Sequence, residues 1–296
     1  MRMTTKTESA MIANAVRRYV ASGDYEAHSL DWPGDNYVER ETNHRAALRD
    51  GLLAEVRRCA DGARPPALPE GIDLVAFTRS RVVPMVKGLF PAKERDVVLA
   101  LLERSVVFLT PANIEQVLAD ERYLGTAWNL ANLYLGSLGR PGLDGRPAGL
   151  VGLSQETTCF VALTYFTEDD RFADFVVHEA AHVFHNWKRE YAGMSHTRRR
   201  EWLLEIAFRK RETFAYSCEA LSRILSLGKT RSDREKLVEE YTAGSAPSDE
   251  RVDSAEIVEI LREAVVARNG WKRILARCAP VRTPRTGGGQ ISPVAS

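Results

Sequence analysis

Asp169–Tyr191 reads DDRFADFVVHEAAHVFHNWKREY, and the pentapeptide His178-Glu179-Ala180-Ala181-His182 at its centre decides how the rest of the chain is read. Two residues four apart on a helix are neighbours about 6 Å apart, so His178 and His182 can close on one metal ion from the same side. Glu179 stands about 100° further round the axis, off the shared ligand position but within reach of a metal-bound water as general base. The flanking Val176, Val177, Val183 and Phe184, the two alanines and the lack of Gly or Pro place the motif inside a buried amphipathic helix. That helix is expected to open at Asp169 and Asp170 and to carry Lys188 and Arg189 toward its end, as the helix dipole favours. Phe172, Val176, Ala180, Val183 and Trp187 form its expected core-facing stripe.

Working outward, a break around Gly193 to His196 is followed by an expected second long helix from Arg199 to Leu227, stopped by Gly228. It carries Glu205, Glu212 and Glu219, spaced by seven and therefore on one face. Ahead of the motif, Leu150–Phe166 (LVGLSQETTCFVALTYF) is rich in β-branched and aromatic residues and predicts two strands around a turn at Ser154 to Thr157. Leu138–Gly149, dense in Gly, Pro and Asp, predicts a loop or domain seam.

The N-terminal third alternates helix-like spacing with turn signals. Met11 to Val20 ends at Gly23, and Ala46 to Cys59 ends at Asp61-Gly62; Pro91 opens a further helix, and Thr110-Pro111 offers an N-cap with proline at the first helical position. Pro84 is expected to split or kink the segment it lies in. At the other end, Ser254 to Ala276 predicts helix with a break at Asn269-Gly270, and the tail after Pro280 reads as disordered. The expected fold class is α+β, mostly helical. The expected organisation is a helical N-terminal region (1–110), a core holding the motif (111–230), C-terminal helices packed on it (231–278) and a tail (279–296).

Composition narrows the possibilities. With 296 residues, 41 basic and 40 acidic, the net charge is +1, so no global field recruits nucleic acid or an anionic membrane. The basic runs Arg198–Arg200 and Arg209–Arg211 read as solvated helix faces, which argues against a nucleic-acid partner. No apolar h-region follows the N-terminus and no apolar run spans a bilayer, so the expectation is a cytoplasmic protein without a membrane partner. Cys59, Cys159, Cys218 and Cys278 form no C-x-x-C pair, which suits reduced thiols.

With His178, Glu179 and His182 on a helix preceded by a strand, the region from about 150 to 227 resembles the zincin metallopeptidases. The resemblance implies a small sheet beside the motif helix, a bound Zn2+, and hydrolysis of a peptide or protein substrate. A catalytic zinc takes three protein ligands and leaves a position for water. The metzincin branch continues with Gly and a third His, but this chain has His185 and Lys188 at those positions. His185 lies about 10.5 Å of helix rise from His178, too far for all three histidines to share one ion; it is expected to line the pocket or orient a neighbour.

The gluzincin branch instead draws a Glu from a following helix, and Glu212 is the best match, with Ala215 close by to admit the motif helix. Glu205 is the runner-up, and Glu219 is expected behind the ligands. Many gluzincins place an Asp four residues after the ligand Glu to hold the first His; Tyr216 stands there, so another residue must fill that role.

The mechanism this implies has Glu179 take the proton of the zinc-bound water as it attacks a carbonyl and pass it to the leaving amine. Tyr216, Tyr191 and His196 are candidate donors to the oxyanion. Thr157 to Leu163 is the expected edge strand for an extended substrate. The alternative is a non-catalytic helical interaction protein in which a metal or polar cluster only braces the fold.

Overall fold

Side-chain caps set most of the helix starts. Asn36, Asp73, Asp174, Asp253 and Asn269 each accept a backbone N–H of the first turn that follows, and Thr230 with Asp233 forms a reciprocal capping box. In the computed structural model, which describes residues 6–26, 29–147, 152–155 and 157–281, the helices are α1 (Lys6–Ser22), α2 (Tyr37–Ala60), α3 (Leu74–Leu89), α4 (Ala92–Ser105), α5 (Ile114–Asp120), α6 (Leu124–Ser137), α7 (Phe175–Asn186), α8 (Arg211–Leu227), α9 (Arg231–Gly244), α10 (Ser254–Val266) and α11 (Gly270–Cys278). The strands are β1 (Val106–Leu109), β2 (Gly152–Gln155) and β3 (Thr158–Ala162). Of the expected disordered tail at 279–296, residues 282–296 lie outside those described, as do residues 148–151 of the expected loop and strand.

The fold is mostly helical with one three-stranded sheet in the order β1-β3-β2, consistent with the α+β class. β1 runs parallel to β3, and β2 antiparallel to it in the register Gly152↔Val161 to Gln155↔Thr158. Strand side chains alternate between faces, and both faces here are covered. Val106, Phe108, Cys159 and Val161 join one core with α3, α4, α7, α8, α10 and α11. Leu109, Phe160 and Ala162 join a second core with α1, α2, α5 and α6. Packing therefore groups the chain by sheet face: β1 comes from the segment expected to be a helical N-terminal region, and the larger core crosses both residue 110 and residue 230.

Several local expectations are corrected. The motif helix begins at Phe175, capped by Asp174, and ends at Asn186; Phe172 and Trp187 of the expected stripe lie just outside it, though Phe172 is buried. The second long helix begins at Arg211 rather than Arg199. Residues 200–204 instead run back beside the end of α7, where Leu204 N–H donates to Phe184 O and Leu203 N–H to Trp187 O, both at 2.9 Å. Those carbonyls, at and just past the end of α7, lack intrahelical partners, and satisfying them keeps this stretch extended.

Thr110-Pro111 forms a turn, and α5 starts later, behind Asn113. α3 continues through Pro84. β3, expected as the edge strand, is the central one, hydrogen-bonded on both sides, so the edge beside α7 is β2. No helix among the described residues is long and apolar enough to cross a membrane.

Candidate metal centre

α7 is buried from Val176 to His185, so its three histidines and Glu179 sit in the interior rather than on a solvated face. Its position is fixed at the N-terminal cap. Asp174 is fully buried, is gripped by Arg81 of α3, accepts from Tyr165 Oη at 3.1 Å and receives Ser222 Oγ at 3.4 Å. One residue thereby ties α7 to α3, α8 and the turn after β3.

His178, His182 and Glu212 converge. The two Nε2 atoms are 3.4 Å apart, and Oε2 of Glu212 lies 3.7 Å from that of His178 and 3.5 Å from that of His182. Ligands at ~2.0–2.1 Å from a tetrahedral zinc are separated by about 3.3–3.4 Å, so this triangle is close to one face of such a site. Among the described residues it is the one group of three or more His, Cys, Asp or Glu that could hold a metal ion. All three residues line one cleft, and the group contains no fourth His, Cys, Asp or Glu.

Each of the three side chains is held from behind. His178 Nδ1 lies 2.9 Å from Oε2 of Glu219, whose other oxygen accepts the backbone N–H of Asp174 at 2.8 Å. The carboxylate can only accept, so Nδ1 carries a hydrogen and Nε2 is the nitrogen that offers its lone pair to the triangle once it gives up its proton. Glu219 thus occupies the role left open by Tyr216. It lies seven residues after Glu212, two turns along the same face of α8.

His182 Nδ1 is 3.4 Å from Nε2 of His185, a buried imidazole lowered to about 3 by burial first and then by the neighbouring His182 and Arg211. His185 is therefore neutral and can accept from His182; its own Nδ1 is buried without a partner. Oε1 of Glu212 takes Arg251 Nη1 at 2.7 Å. Burial pushes the Glu212 carboxyl up, but the imidazoles of His178 and His182 beside it outweigh that and hold the group well below the usual carboxylate range.

Glu179 is not part of the triangle but lines the same cleft, where Ser154 Oγ of β2 donates to its Oε2. The strand passes so close that a Cβ on Gly152 would stand 2.7 Å from Oε1 of Glu179. Only a residue without a side chain leaves space for that carboxylate. The cleft has a volume of about 540 Å³ and is walled by β2, α7, the 208–212 segment and Arg251. Another cavity, of about 570 Å³ beside α1 and Trp32, is no larger in any meaningful way and assembles no comparable set; Arg18 and Glu26 in its wall pair with each other.

The other candidates separate clearly. Glu205 is not in the triangle: its carboxylate accepts the N–H groups of Glu201 and Trp202 at 2.7 and 3.0 Å, in the extended stretch before α8. Tyr216 lies against His178, ring centroids 4.6 Å apart, but its hydroxyl donates to Asp249 at 3.2 Å. Tyr191 is 72 % exposed and, like His196, does not line the cleft. Sequence reasoning missed Asp174, Gly152, Ser154 and Arg251. Asp174, four residues before His178, was readable as a cap; the other three are brought in by tertiary contacts with no local signal.

No family model matches this chain, and neither the curated proteins nor the solved structures include a significant match.

Proposed function

We propose that this chain is a zinc-dependent peptidase with a zincin-like site of the gluzincin arrangement: His178, His182 and Glu212 as ligands and Glu179 as general base. The carrying observation is the triangle of ligand atoms with edges of 3.4, 3.5 and 3.7 Å on the same cleft as an uncoordinated glutamate. A structural zinc site usually closes with four protein ligands, whereas three ligands facing a cleft suit catalysis.

When bound there, zinc supplies Lewis-acid polarisation of a carbonyl and lowers the pKa of a water toward neutrality. The protein's part is positional and protolytic. Glu179 accepts the proton of the attacking water at its carboxylate and returns it to the leaving amine. Ser154 holds that carboxylate in place, and Glu219 and His185 fix the rings of His178 and His182 with their Nε2 atoms toward the ion. Tyr216 can reach a substrate only by releasing Asp249. An extended peptide would add to β2, whose outer edge pairs with no strand among the described residues.

The test is elemental analysis and hydrolysis of unfolded casein by wild type and Glu179→Gln. One zinc per chain is expected in both proteins, with hydrolysis at least ~100-fold slower in the variant. Stoichiometric zinc with no hydrolysis by wild type would favour the bracing role instead, and a variant cleaving at the wild-type rate would sink the assignment of Glu179.

A further inference from the structure

One side of the cleft carries positive charge that no carboxylate among the described residues fully neutralises. The segment Phe208–Glu212, which leads into α8, lines it with Phe208, Arg209 and Arg211. Arg251, the third arginine there, is compensated by Glu212 and Asp249 at 2.7 and 2.5 Å. Arg209 and Arg211 form no ion pair among the described residues. Most arginines placed near a carboxylate in this protein do pair, including Arg81, Arg189, Arg262, Arg273 and Arg277.

Arg211 is the more telling of the two. Its Nε is buried and has no hydrogen-bond partner, while its guanidinium carbon sits 5.2 Å over the ring of Phe208. That nitrogen is closed to solvent, but Arg211 lines the cleft and its guanidinium pairs with no carboxylate among the described residues, which leaves its terminal nitrogens as donors for an acceptor on a bound chain. Phe208 is 80 % exposed at the same rim, an aromatic surface that packs against the arginine and offers contact to a bound chain. The acidic groups of the cleft, Glu179 and Glu212, are both committed, one to Ser154 and the base role, the other to the histidines and Arg251.

We infer that the cleft recognises a carboxylate on its substrate: the preferred peptide carries an acidic side chain or a free C-terminus that Arg209 and Arg211 grip while the backbone lies along β2. This rests on the peptidase reading for the reaction, but the recognition can be read without turnover. A guanidinium fork meets a carboxylate with paired, charge-assisted hydrogen bonds, whereas the neutral amide of Gln replaces only part of them.

The experiment uses the zinc-loaded Glu179→Gln protein and fluorescein-labelled decapeptide libraries. One position at a time is fixed as Glu, Gln or Lys, and each set is made with a free or an amidated C-terminus. Binding is followed by fluorescence anisotropy. Glu peptides are expected to bind at least about tenfold tighter than Gln peptides at one or more positions, with Arg209→Gln/Arg211→Gln abolishing the difference. A preference that follows the free C-terminus and ignores Glu assigns the carboxylate to the chain end; one that follows Glu in amidated peptides assigns it to a side chain.

Equal binding of the Glu and Gln sets with free and amidated ends alike, no binding at all, or a Glu preference that survives loss of both arginines overturns the inference. Parallel hydrolysis by wild type separates the two readings. Carboxylate-selective binding without cleavage removes the peptidase and keeps the recognition; cleavage without carboxylate preference does the reverse.

Discussion

Glu219 holds the Nδ1 of His178 at 2.9 Å while its second oxygen accepts the N–H of Asp174, the residue that caps the same helix. One buried carboxylate on α8 thereby sets both the ring of the first histidine and the start of the helix that bears it. Metal-binding histidines depend on such partners for tautomer and orientation. Glu219→Gln is expected to weaken zinc binding roughly 10–100-fold, measured by competition with a chelator of known affinity. A variant with unchanged affinity would show that packing alone orients His178.

The third ligand is decided by comparing two glutamates seven residues apart. Glu212→Ala is expected to lose stoichiometric zinc, because two imidazoles alone remain in the triangle. Glu205→Ala should keep its zinc and lose only the two backbone hydrogen bonds its carboxylate receives, a cost of about 1 kcal/mol each. Zinc analysis of both proteins, with thermal denaturation alongside, checks the pair; metal loss in Glu205→Ala would contradict the assignment.

The close passage of β2 over Glu179 makes Gly152 a sensitive position. Gly152→Ala brings a methyl to 2.7 Å from Oε1 and 3.0 Å from Cδ of Glu179, so the carboxylate must swing off Ser154. Displacing a general base by such an amount is expected to lower kcat by up to about 100-fold. The zinc content should not change, since no ligand is touched. Full activity in this variant would mean that the base lies elsewhere.

Proton uptake in the metal-free protein competes with zinc. Burial opposes protonation of His178, but the neighbouring Glu212 carboxylate and the hydrogen bond with Glu219 outweigh it and raise its pKa to about 10. A raised imidazole pKa adds stability that is present below the ordinary value near 6.5 and is lost as pH rises through about 10. Zinc needs the ring deprotonated, so near neutral pH each ion bound should release about one proton, and affinity should fall as pH falls. Calorimetric titration in buffers of different ionisation enthalpy reads this directly, and an enthalpy independent of buffer would exclude it.

Away from the cleft, Arg189 just after α7 reaches Glu94 of α4 at 2.7 Å and Ser195 O at 2.7 Å with almost no exposure. Removing one partner of a buried pair strands the other charge. Arg189→Met is therefore expected to cost about 3–5 kcal/mol and to lower Tm by roughly 10 °C, with zinc stoichiometry intact in the folded fraction. A Tm within a degree or two of wild type would show that Glu94 is reached by water or rescued by Arg200, which lies 3.6 Å away.

What could be read along the chain was whatever a single helix or strand carries within itself. The helical spacing of His178 and His182, the offset of Glu179, the two-strand character before them, the seven-residue spacing of Glu212 and Glu219 and the break at Asn269-Gly270 all follow from local periodicity, and the described residues agree with each. Other features depended on which segments meet. The start of α8 moved from 199 to 211 because the carbonyls at the end of α7 recruit residues 203 and 204, a contact between segments that no helical periodicity encodes. β1 escaped notice because four residues at the end of a helical stretch become a strand only when β3 is beside them. Ser154, Gly152, Arg251 and Arg211 acquire their roles by distance to Glu179, Glu212 or an empty stretch of cleft wall, and distance across the fold is set by the packing of two cores on either face of the sheet. His178 and His182 of the candidate metal centre were legible because a helix places residues four apart side by side; the groups around them were not, because their neighbours are made by folding.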